Sequence, residues 1–119
     1  MALGAGCREA GSRSCNDVCD HANACTVAQR PADVECRQFC PDVEALNRRM
    51  QDNGFPSCQE QFDQHLACWE DNLSQICNPD FTDCADSGQA WTACMALYCE
   101  TNETDVNCKG DGTPALAPF

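Results

Sequence analysis

Basic residues are scarce in this chain. It has 7 Lys and Arg against 19 Asp and Glu over 119 residues, for a net charge of −12. A field of that sign repels nucleic-acid phosphates and anionic membranes, so neither is expected as a partner. Long apolar runs are missing too: none approaches the ~20 residues of a transmembrane helix. Only two histidines occur, His21 and His65, and no Cys-x2-Cys pair exists. That removes the usual zinc knuckle, the thioredoxin-type motif and the haem attachment motif. No alternating pattern longer than a few residues suggests a strand. Apart from cysteine, the aliphatic and aromatic content is thin, so burial alone would struggle to offset the entropy of folding.

Cysteine is the abundance that answers these shortages. There are 13 cysteines, above the level that marks a disulfide scaffold. Reducing compartments keep thiols free, so this usage points to an oxidising location. The candidates are the periplasm, the cell surface, the extracellular space or the mitochondrial intermembrane space. The first residues, Met1-Ala2-Leu3-Gly4-Ala5-Gly6-Cys7, resemble the end of a bacterial lipoprotein signal, in which small residues precede a cysteine that is lipidated. A complete signal peptide is not present, and Leu3 is one place further from Cys7 than the commonest pattern has it.

The helical signals are regular. A first helix is expected over about 14–28, with Ser14 as N-cap and Asp17 in its first turn. A second is expected from near Asp33 to about Asn53, either interrupted by Pro41 or restarting there. Asn53-Gly54 is a C-terminal stop. Ser57 and Glu60 form a capping-box pattern for a third helix. In that helix Phe62, Leu66, Trp69, Leu73 and Ile76 recur at intervals of 4, 3, 4 and 3 and make one apolar stripe. Asn78-Pro79 is the expected end. A fourth helix is expected over about 83–100, capped by Thr82 or Asp83, with Trp91, Met95 and Tyr98 on one side. Residues 1–13 and 109–119 are flexible by composition.

The cysteine spacing organises these helices in pairs. Facing residues in an antiparallel helix pair have residue numbers with a constant total. Cys15 with Cys40 and Cys19 with Cys36 both total 55; Cys58 with Cys94 and Cys68 with Cys84 both total 152. Cysteines four apart share a helix face, and a step of ten keeps both on the packed side. Four rungs are therefore expected across two hairpins, 14–53 and 56–100, each worth about 2–4 kcal/mol through restriction of the unfolded chain. Cys7, Cys25, Cys77, Cys99 and Cys108 remain. Cys99–Cys108 is local and Cys25–Cys77 would tie the hairpins together, although spacing alone does not decide this last set. Cys7 is then the odd cysteine, lipidated or free.

The twin Cys-x9-Cys hairpin, with Phe62 inside it and Asn72 beyond it, resembles the coiled-coil-helix-coiled-coil-helix proteins of the mitochondrial intermembrane space. The twin Cys-x3-Cys hairpin is similar to that of the small Tim chaperones. Cys25, Cys77, Cys99 and Cys108 have no place in either pattern. Taken over residues 7–108, the chain resembles the cysteine-rich helical lipoproteins of myxobacteria-like genomes. This resemblance implies an exported compartment.

No acid/base pair stands out among so many carboxylates. His21 and His65 read as surface or packing residues. Asp80, Asp83 and Asp86 do not have the spacing of a calcium loop and read as helix-capping acids. Asn72-Leu73-Ser74 and Asn102-Glu103-Thr104 match the glycosylation acceptor pattern. The expectation is an all-α fold of disulfide-stapled hairpins forming a small four-helix bundle. It would be a non-enzymatic exported structural or protein-binding module, an envelope lipoprotein if Cys7 is lipidated, with any protein partner unidentified and without catalytic residue, metal or cofactor. Contact with a membrane would run only through a lipid on Cys7. The alternatives are an assembly factor or chaperone of an oxidising compartment, and a small secreted enzyme or inhibitor.

Peptide mapping of the unreduced protein is expected to join Cys58 to Cys94 and Cys68 to Cys84, with the intact mass lowered by two hydrogens per bridge. Free thiols at these four positions after oxidative production would overturn the rung assignment.

Overall fold

The computed structural model describes residues 15–25 and 35–117. Among them are four α-helices and no strand: α1 over 15–23, α2 over Cys36–Asp52, α3 over Gln59–Asp71 and α4 over Ala85–Thr101. A single 3-10 turn, Leu73–Gln75, follows α3. Cys7, its preceding residues and Ser14 lie outside the described residues.

Six disulfides cross-link this framework. Cys15–Cys40 and Cys19–Cys36 are rungs between α1 and α2, with Cα separations of 6.1 and 5.8 Å. Cys58–Cys94 and Cys68–Cys84 are rungs of the α3/α4 hairpin, at 5.9 and 5.7 Å. These are the pairs with constant totals. Cys25–Cys77 joins the first hairpin to the turn after α3, and Cys99–Cys108 clips the chain beyond α4 back onto its end. Each rung has a buried cysteine on at least one side, so the staples also serve as core.

The two hairpins meet through aromatic side chains. Phe39 of α2 lies 6.4 Å from Phe62 of α3 and meets Trp91 of α4 edge-on at 6.2 Å. Phe62 and Trp91 are 4.8 Å apart between ring centroids. Val43, Leu46 and Met50 extend this core along α2, and Leu66, Trp69, Met95 and Tyr98 extend it along the other hairpin. Such ring pairs add about 0.5–1.5 kcal/mol each beyond the area they bury.

Several helix boundaries differ from the sequence expectation, each for a local reason. Helix α1 ends at residue 23, short of 28, where Ala24 and Cys25 close turns onto His21 and Ala22. Helix α2 starts at Cys36 rather than Asp33. Glu35 caps it by accepting the Arg37 amide at 3.1 Å. Pro41 neither interrupts nor restarts this helix but sits inside it. It is on the exposed side, where the Arg37 carbonyl that loses its amide donor is open to solvent, and the rungs at Cys36 and Cys40 cross-link that turn on the buried side.

The third helix has no Ser57–Glu60 capping box. Its N-cap is Cys58, whose amide donates at 2.9 Å to Asn47 Oδ1 of α2. A neighbouring helix thus supplies the cap. Helix α3 stops at Asp71, before Asn78, because the Asn72 side chain donates to the Cys68 carbonyl at 2.8 Å and the chain tightens into the 3-10 turn. Helix α4 starts at Ala85 without a side-chain cap from Thr82 or Asp83; the Ala85 amide turns back to the Thr82 carbonyl.

The segment after Cys108 carries ordered turn geometry as far as it is described. Lys109 donates to the Thr113 carbonyl at 2.7 Å, Gly112 is buried at φ +86°, and Leu116 packs against the core. Cys99–Cys108 holds its start.

Helix α2 ends in a Schellman motif. The Phe55 amide donates to the Met50 carbonyl at 2.8 Å, the Gly54 amide to Gln51, and Gly54 adopts φ +83°. A Cβ at Gly54 would meet nothing within 4 Å, so only backbone strain opposes a side chain there. Gly54→Ala is expected to lower unfolding free energy by about 1 kcal/mol, read by chemical denaturation. An unchanged midpoint would contradict this account of the stop.

Candidate functional site

The antiparallel α3/α4 pair leaves a groove of about 480 Å³ on its outer face. His65 and Trp69 of α3 form one wall, Ala85, Gly88 and Ala93 of α4 form the other, and Phe81 of the connecting turn closes one end. Trp69 and Phe81 are 5.7 Å apart between ring centroids. Helix α4 contributes Ala85, Gly88 and Ala93 together with the polar Gln89 and Thr92. The Cys68–Cys84 rung joins the two walls beside the turn.

His65 sits at the base of this groove and is buried. Its Nδ1 is 2.7 Å from Ser87 Oγ, which itself donates to the Cys84 carbonyl at 3.0 Å. Both bonds form together only if His65 Nδ1 carries a proton and donates to Ser87. The serine proton is then committed to the backbone, and Nδ1 is not the base that nucleophilic attack requires. The pair therefore fastens α3 to α4. Ser87 was not legible as the partner from local motifs. The register was a usable signal, because residue numbers 65 and 87 share the total of 152 with both rungs.

A second polar cluster joins the far end of α4 to α2. Arg49 reaches Asp105 through two bonds of 2.9 Å and Asn107 through one of 2.6 Å. The Tyr98 hydroxyl donates to Asp105 at 2.8 Å and accepts from Asn53 at 3.0 Å. The Asp105 side chain is only 6 % exposed. Burial pushes its pKa up, but the bonds from Arg49, the Asn107 amide and Tyr98 outweigh that and hold it below its usual 3.8. Burial and the bond to Asp105 push the Tyr98 hydroxyl up. This knot locks the loop after α4.

The other sequence candidates fall elsewhere. His21 is exposed and bonds the Asp17 carbonyl at 2.8 Å. Asp80, Asp83 and Asp86 are exposed, and among the described residues no three metal-ligating side chains converge. The Asn72 and Asn102 amides donate to the carbonyls of Cys68 and Tyr98, so their side-chain nitrogens serve helix ends. The sequence reading missed the groove itself. Its signal was the set of small residues Ala85, Gly88 and Ala93 beside an otherwise aromatic helix pair.

No family model, curated protein or solved structure matches the chain.

The depressed pKa of Asp105 has a defined pH consequence. A group whose folded pKa lies below its unfolded value stabilises above the unfolded value, and that stability is lost as pH falls through the folded pKa. Denaturation midpoints are therefore expected to drop below about pH 4, and Asp105→Asn is expected to shrink the difference between neutral and acid stability. An identical acid limb in both proteins would contradict the role given to Asp105.

Proposed function

We propose that the chain is a non-enzymatic, exported protein-binding module, held to a membrane surface by a lipid on Cys7 and presenting the α3/α4 groove to its partner. The observation that carries this reading is the use of twelve of the thirteen cysteines in six bridges. Such a chain depends on an oxidising compartment for its fold. Its walls are rigid before any partner arrives, which lowers the entropy cost of association. The hydrogen-bond chain from His65 through Ser87 to the Cys84 carbonyl favours a binding role for the groove over hydrolysis.

The twin hairpins also suit an assembly factor or chaperone of the mitochondrial intermembrane space. The compartment separates the two readings, because only the first involves a lipid.

The full-length gene product is to be expressed in its own host with labelled palmitate, with and without Cys7→Ser. Label in the native protein and its loss in the variant are expected, with the protein in the envelope fraction and its thiols oxidised. Equal labelling in both would remove the anchor. Recovery from the cytosol with free thiols would overturn export.

A further inference from the structure

Cys25–Cys77 differs from the other five bridges in where its sulfurs lie. Each of the five has at least one buried cysteine, whereas Cys25 and Cys77 are both half-buried. Each of the five also has at least one cysteine within an α-helix. Cys25 lies past the end of α1, and Cys77 lies in the turn after the 3-10 segment. Both differences bear on thiol–disulfide exchange, in which a thiolate attacks one sulfur and expels the other as a thiolate. At Cys58–Cys94 and Cys68–Cys84, attack on the outer sulfur would expel a thiolate at buried Cys58 or Cys84, where burial disfavours the charge. At Cys25–Cys77, attack on either sulfur leaves the departing thiolate at a half-buried position. Neither cysteine is held in an α-helix, so the sulfurs separate without breaking one.

We infer that Cys25–Cys77 is the chain's site of thiol–disulfide exchange, opened reversibly by an external dithiol while the other five bridges stay closed. One thiolate of the dithiol bonds to Cys25 Sγ or Cys77 Sγ, the S–S bond breaks, and the expelled sulfur takes a proton from water. The second thiol of the reagent, once deprotonated, displaces the chain's sulfur from the mixed disulfide, and that sulfur is protonated in turn. The chain is left with two thiols and the dithiol departs as its own disulfide, so two electrons and two protons have moved onto the protein.

The consequence of opening is local in structure. The rungs at Cys15 and Cys19 keep α1 on α2. The contacts of Phe39 with Phe62 and Trp91, and the Arg49–Asp105 pair, keep α2 on the rest. What comes free is the end of α1 and the turn after α3. The same bridge spans the longest sequence separation, 52 residues, against 9 to 36 for the other five. It therefore restricts the unfolded chain most. One exchange loosens one edge of the fold and lowers its stability, without dismantling either hairpin.

The test uses the full oxidised chain carrying Cys7→Ser, so that no internal thiol competes. Dithiothreitol is added under native conditions, and samples are alkylated at intervals and mapped as peptides. The first labels are expected at Cys25 and Cys77, at least about tenfold faster than at any other pair. Hydrogen exchange of the protein labelled at these two positions is expected to rise in 20–25 and 72–78 and to stay unchanged through α2 and α4. Removal of the reagent and addition of glutathione disulfide, before alkylation, is expected to restore the Cys25–Cys77 link. Cys25→Ser with Cys77→Ser is expected to keep the helical circular dichroism, to unfold at a lower denaturant concentration and to lose the fast labelling phase.

First labelling at any other pair, or labelling of all twelve bridged cysteines in one phase, would overturn the assignment. Reoxidation that joins Cys25 or Cys77 to a different cysteine would overturn its reversibility. Loss of helicity when this bridge alone is open would overturn the local response. The labelling order is read on the six native bridges, so it decides the assignment even where the double variant does not fold.

Discussion

The fold depends on covalent rungs between facing helices. Each rung closes a loop of the unfolded chain and so removes entropy that a small core does not easily offset. The two rungs of each hairpin also set register. Once Cys58 meets Cys94 and Cys68 meets Cys84, every other facing pair in α3 and α4 follows. His65 opposite Ser87 is one of them. Helix α4 carries Gly88 and several alanines, whose small side chains offer little area for packing. The cross-links let a weakly amphipathic helix hold its place.

Non-covalent contacts then decide how the hairpins sit. Phe39 is the contact from α2 that reaches both Phe62 and Trp91, so the two halves share one aromatic centre. At the opposite end, Arg49, Asp105, Tyr98 and Asn107 form a buried, mutually satisfied knot. A buried carboxylate is tolerated there because three donors face it. Cys25–Cys77 adds the covalent tie between the halves.

Stapling also shapes the surface. Trp91, Met95 and Tyr98 of α4 turn inward, and a groove lined by Ala85, Gly88, Gln89, Thr92 and Ala93 lies beside Trp69 and Phe81. The Cys68–Cys84 rung lies at the same place. The groove, rather than the polar knot, is therefore the feature read as functional.

The sequence by itself determined the helical class, the two hairpins and the rungs, since cysteine register is a matter of counting along helices of fixed pitch. The apolar stripe of Phe62, Leu66, Trp69 and Ile76 was legible for the same reason. Tertiary structure alone decided what capped the helices. Asn47 of α2 satisfies the Cys58 amide in place of a local serine, and paired cysteines hold Pro41 inside a helix that its chemistry alone would interrupt. It also decided the groove and the Arg49–Asp105 knot, which join residues 56 positions apart. An amide or carboxylate takes whichever donor or acceptor the packed chain brings near, and no local spacing encodes that proximity.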